Sequence, residues 1–146
     1  ERLAGFLEDK VNEIVENKSK YTFSQKACVI DLLNRYWSHK TLYSQGTDAY
    51  LTIVDDADDE EKRRQIVGML SSVPRQAMSS DTDKWVDILT RLYRQTSSQE
   101  LKKDIVSMVM KNNLKKHFIA GLENNYVEEV KKIIKGINKS PAADEE

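Results

Sequence analysis

The chain has 146 residues and a mass of 16.8 kDa, which is room for one domain of ordinary size and little for a second core. With 39% hydrophobic and 32% charged residues it is too apolar for a disordered chain and too charged for a membrane protein. Only 5 Gly and 2 Pro punctuate it, which argues against collagen-like, low-complexity and turn-dense β-sandwich chains and leaves an all-α protein.

Lys and Arg number 23 against 24 Asp and Glu, a net charge of -1, so no bulk attraction to nucleic acid or an anionic membrane is expected. The single cysteine, Cys28, allows no internal disulfide and no multi-cysteine zinc site, and favours a cytoplasmic or nuclear setting. No apolar run approaches the roughly 18 residues of a membrane span, and no signal-peptide pattern opens the chain. Glu1 at the first position reads as the start of an excised fragment.

Leu3, Phe6, Leu7, Val11, Ile14 and Val15 recur at helical spacing and predict an amphipathic helix over residues 2 to 17. Thr22 and Gln25 have the spacing of a capping box, so a second helix is expected from Phe23 through Tyr36 and into Trp37. Gly46 breaks the pattern, and Thr47 or Asp48 can cap a short helix over Ala49 to Val54.

Asp55, Asp56, Asp58, Asp59, Glu60 and Glu61 then place six carboxylates in seven residues. A calcium loop counted from Asp56 would need Gly and Glu where Glu61 and Val67 stand, so that reading fails. A helix start fits better, with Asp58 as cap and Glu61 three residues on, and Lys62, Arg63 and Arg64 placed for pairing along the helix. The alternative use of the cluster is a recognition patch for a basic partner.

The helix is expected to end near Val73-Pro74, with residues 75 to 82 as a loop. Trp85, Val86, Ile88, Leu89, Leu92 and Tyr93 predict the next helix, and Ser97 with Glu100 caps another over Leu101 to Val109. Asn112-Asn113 and Asn124-Asn125 interrupt, with apolar helical segments from Leu114 to Leu122 and from Tyr126 to Ile137. Six or seven helices are expected over residues 1 to 139, followed by a flexible tail at residues 140 to 146.

Shifted by 39 residues, the segment from Asp59 to Leu70 overlies that from Ser98 to Val109, matching Glu61 to Glu100, Ile66 to Ile105, Val67 to Val106 and Met69 to Met108. Over about residues 47 to 110 this resembles the paired-helix period of HEAT and armadillo repeats. The resemblance implies superhelical stacking, partner binding along a helical face and no catalytic residues to carry over. The short Ala49 to Val54 helix departs from the family's lengths. The fold class is therefore all-α, a single multi-helix domain that is either an irregular HEAT- or armadillo-like stack or a bundle without a true repeat.

The histidines, His39 and His117, have no ligand partners at metal spacing, and no phosphate-binding glycine loop or nucleophile motif is visible. No enzyme activity, metal or cofactor is expected. Charge is unevenly spread: residues 44 to 61 hold seven carboxylates and no Lys or Arg, whereas residues 98 to 139 hold nine Lys against five acids. Lys102, Lys103, Lys111, Lys115 and Lys116 are candidates to meet an acidic peptide or phosphates, and are otherwise the solvated backs of helices. Trp37 and Tyr43 bracket a less regular stretch and are candidate aromatic anchors. The expected function is a non-enzymatic protein-binding domain taking a partner protein or peptide, acidic in the favoured case. The alternative is a nucleic-acid-binding accessory domain using the lysine-rich half.

Overall fold

Among the described residues, three helices begin on a side-chain cap, because a helix leaves its first backbone N–H groups without partners and a short polar side chain can supply one. In the computed structural model, the Gln25 N–H donates to Thr22 Oγ1 at 3.2 Å and the Thr22 N–H donates to Gln25 Oε1 at 2.9 Å, which completes the expected capping box. Asp59 Oδ1 accepts from the Lys62 N–H at 2.8 Å, and Ser98 Oγ accepts from the Leu101 N–H at 3.1 Å. The caps sit one residue later than expected at both places: Asp59 replaces Asp58, and Ser98 replaces Ser97.

The structure describes the backbone of residues 2–144 and the side chains of residues 5–137. Among them the elements are α1 (Arg2–Glu16), α2 (Phe23–Leu33), α3 (Tyr43–Val54), α4 (Glu60–Leu70), α5 (Arg75–Ser80), α6 (Thr82–Gln95), α7 (Gln99–Lys111), α8 (Lys115–Ala120) and α9 (Asn124–Asp144). Single 3₁₀ turns cover Lys18–Lys20 and Lys40–Leu42, and no strand occurs among the described residues. The all-α expectation holds, with more helices than the six or seven foreseen. The expected flexible tail falls where the side chains, and at residues 145 and 146 the backbone, lie outside the described residues.

Three local expectations are corrected. The second helix stops at Leu33 and does not reach Trp37, because Asn34 turns the chain and its Oδ1 accepts the Trp37 indole N–H at 2.8 Å. Gly46 lies inside α3 and does not end it, since its missing side chain makes room for the Trp37 ring, and Thr47 donates back to the Tyr43 carbonyl at 2.9 Å instead of capping. Residues 75–80 form a helix where a loop was expected. Pro74 takes the extended conformation at its start, and burial of Ala77 and Met78 ties the turn to the core. At Asn113 the backbone has φ 62°, a left-handed conformation Asn tolerates, and α7 ends there as expected.

The helices pack in two rows. In the first, α1 lies on α3 and α3 on α6; in the second, α2 lies on α4 and α4 on α7; the pairs α1–α2, α3–α4 and α6–α7 join the rows. The second row keeps a common register measured from its caps Thr22, Asp59 and Ser98. Eight residues on stand Ile30, Val67 and Val106, and eleven on stand Leu33, Leu70 and Val109, all buried. Four residues on stand Lys26, Arg63 and Lys102, cations drawn inward. The first row contributes Val11, Tyr50 and Leu89, each fully buried at a spacing of 39. Side chains at this depth stabilise a fold by roughly 1.5–3 kcal/mol each before conformational entropy is subtracted.

A candidate interaction face along the second row

The acidic run is spent on the protein's own cations. Asp55 meets Arg91 of α6 at 2.9 Å, Asp56 meets Lys26 of α2 at 2.5 Å, and Asp58 meets Lys62 at 2.7 Å. Glu60 accepts from the Thr96 hydroxyl and from Arg63 Nε at 3.0 Å, while Glu61 lies 3.5 Å from Arg64. The hydrogen bonds from Lys62 and from Thr96 hold the Asp58 and Glu60 carboxyls below the usual range. These residues join α2, α4 and α6 around the end of α3.

Trp37, expected to face a partner, faces the core. It is 6% exposed, its ring centroid lies 6.2 Å from that of Trp85, and half-buried Tyr43 covers it at 6.1 Å. Asn34 is the hub beneath it: its Oδ1 also accepts the Tyr50 hydroxyl at 3.1 Å, and its Nδ2 donates to the Met69 carbonyl at 3.1 Å. Burial raises the Tyr50 hydroxyl above the ordinary tyrosine range, so it stays a neutral donor.

Among the candidate lysines, Lys102 is buried. Its ammonium donates to Glu129 Oε1 at 2.9 Å and lies 5.3 Å and 6.0 Å from the ring centres of Tyr93 and Tyr126. Lys103, Lys111, Lys115 and Lys116 are exposed. Of these, Lys111 alone borders a cavity described below.

That cavity lies between α4 and α7, a groove of about 620 Å³ open to solvent along the second row. Its floor is apolar, built from Val67, Leu70, Val73, Leu101 and Met108. Its walls carry small groups, Gly68, Ser71, Ser72 and Ser107, which keep it open. Arg64, near the middle of α4, borders one end, and Arg75 and Lys111 stand at the other, where the Arg75 guanidinium donates to the Lys111 carbonyl at 2.5 Å and links α5 to α7. A shallower, more polar cleft of about 470 Å³ lies between α2 and α4, and Gly68 and Ser72 border both. Sequence reasoning missed this face: its Gly and Ser positions read as the solvent side of amphipathic helices.

Among the described residues no group of three or more His, Cys, Asp or Glu is placed to hold a metal ion, and no helix is long and apolar enough to cross a membrane. Comparison with protein-family models, curated proteins and solved structures finds no match for this chain.

Proposed function

We propose that this chain is a HEAT-like helical stack acting as a non-enzymatic protein-interaction domain, and that the face formed by α2, α4 and α7 receives a segment of a partner protein. The two-row packing and the shared spacing from the caps of α2, α4 and α7 support a repeated architecture. The observation that carries the functional reading is the open groove between α4 and α7, with an apolar floor and small side chains along its walls. Helix-lined grooves with an apolar floor are a recurring docking form for peptide segments. Elsewhere Asp55, Asp56 and Asp58 of the acidic run are paired with the protein's own cations, and Trp37 is withdrawn into the core. The free thiol of Cys28 fits the cytoplasm or nucleus as the setting.

The reading is tested by placing a photo-crosslinking amino acid at Ser107 in the groove and, separately, at exposed Ser79 on α5, in the chain expressed in its source cells. The expected result is a discrete protein adduct at residue 107 that residue 79 does not give. Adducts to nucleic acid at residue 107, or identical products at both positions, contradict it.

A further inference from the structure

Resting on that reading, we infer that the α4–α7 groove selects an acidic, extended peptide segment carrying an apolar anchor. Three cations, Arg64, Arg75 and Lys111, border the groove against one carboxylate, Asp104, although the chain as a whole has a net charge of -1. The imbalance is local. Arg64 also lies 3.5 Å from Glu61, so the excess is concentrated at the Arg75–Lys111 end, where a carboxylate-bearing segment gains and a basic segment is repelled.

The floor decides the rest. Leu101 and Met108 from α7 with Val67 and Leu70 from α4 offer an apolar trough in which one large side chain of the segment can be desolvated, and such anchors hold most of the lasting affinity at interfaces. Met108 adds adaptability through its unbranched thioether chain. The groove follows α7 from Leu101 to Lys111, a rise of roughly 15 Å, the length of about four to five extended residues. Gly68 lines it on the α4 side between Arg64 and Ser72, and a Cβ built there meets nothing within 4 Å, so the backbone of the segment can pass close to the helix. Arg75 closes one end by its bond to the Lys111 carbonyl, which leaves other N–H groups of its guanidinium for an incoming carboxylate.

The test is selection of a displayed random 12-residue peptide library on the whole chain, followed by affinity measurement of the enriched peptides. The variants are Arg64→Glu, Lys111→Glu, Asp104→Asn and Gly68→Trp, each first shown to keep the wild-type melting temperature. Arg75 is left alone because its loss would alter the groove itself. The expected peptides are rich in Asp and Glu around a Leu, Phe or Trp. Lys111→Glu should weaken them about tenfold, Arg64→Glu should weaken them less because Arg64 is shared with Glu61, Asp104→Asn should tighten them severalfold, and Gly68→Trp should abolish binding. Enriched neutral or basic peptides that Gly68→Trp still abolishes would overturn the acidic selectivity while sparing the groove. Enriched peptides indifferent to Gly68→Trp, or no enrichment at all, would overturn the docking face as well.

Discussion

The indole of Trp37 occupies the space that Gly46 leaves on the inner side of α3. A side chain at residue 46 would bring its Cβ inside van der Waals contact with ring atoms Cη2 and Cζ3. The ring cannot swing away freely, because its N–H is held by Asn34 and it packs against the rings of Trp85 and Tyr43. Gly46→Ala should therefore destabilise the domain by about 1–3 kcal/mol, the cost of overpacking, despite the roughly 0.5–1 kcal/mol that Ala gains over Gly in a helix. Urea denaturation measures the difference; a Gly46→Ala protein as stable as wild type would mean that Trp37 does not sit against α3.

The ion pair of Lys26 and Asp56 joins α2 to the end of α3 with unequal burial, 1% for the lysine side chain and 33% for the aspartate. Removing one partner leaves the other to find water, and only Asp56 can. Asp56→Asn, which strands a buried ammonium, should cost about 3 kcal/mol or more, whereas Lys26→Met should cost clearly less because the aspartate rehydrates and the methionine packs. Equal losses in chemical denaturation would contradict this burial pattern.

Acid sensitivity follows from Glu129. Burial works to raise its carboxyl, but hydrogen bonds from the Tyr93 hydroxyl at 2.7 Å and from Lys102 at 2.9 Å outweigh it and hold the group below the usual carboxylate range. A carboxylate whose folded pKa is depressed contributes stability that is fully present above the unfolded value of about 4.3 and is lost as pH falls through the folded value. Glu129→Gln should be less stable than wild type at neutral pH, and the gap should narrow below about pH 4.3. Asp58, Glu60 and Glu123, also depressed, keep a residual acid slope in the variant. Denaturation curves at a series of pH values check this, and a gap that stays constant into acid would show that Glu129 is not held as described.

What could be read from the sequence was local. Thr22 with Gln25 and the buried Ile66 and Ile105 were legible because a cap and its helix, or a periodic apolar face, lie within a few residues of each other. Trp37 was not, since what buries it is Gly46 of the next helix and Trp85 of α6, contacts that no local pattern encodes. Lys26 and Lys102 look like any solvated lysine in isolation. A signal was available in the cation four residues after each cap, Lys26, Arg63 and Lys102, visible only once the three helices are aligned on Thr22, Asp59 and Ser98. The groove was hidden for the opposite reason: an absence of bulk at Gly68, Ser71 and Ser107 reads as a polar surface until α7 is seen beside α4.

The docking face itself is tested most directly by two matched substitutions. Gly68 borders the groove and Gly136 lies on α9, and at both a built Cβ meets nothing within 4 Å, so a larger side chain leaves either position into open space. Fluorescence anisotropy of a labelled groove-selected peptide on wild type, Gly68→Trp and Gly136→Trp, at matched melting temperatures, should show binding lost for Gly68→Trp and unchanged for Gly136→Trp. Equal affinity for all three proteins, or loss at Gly136 with binding kept at Gly68, would contradict a partner site on the α2–α4–α7 face.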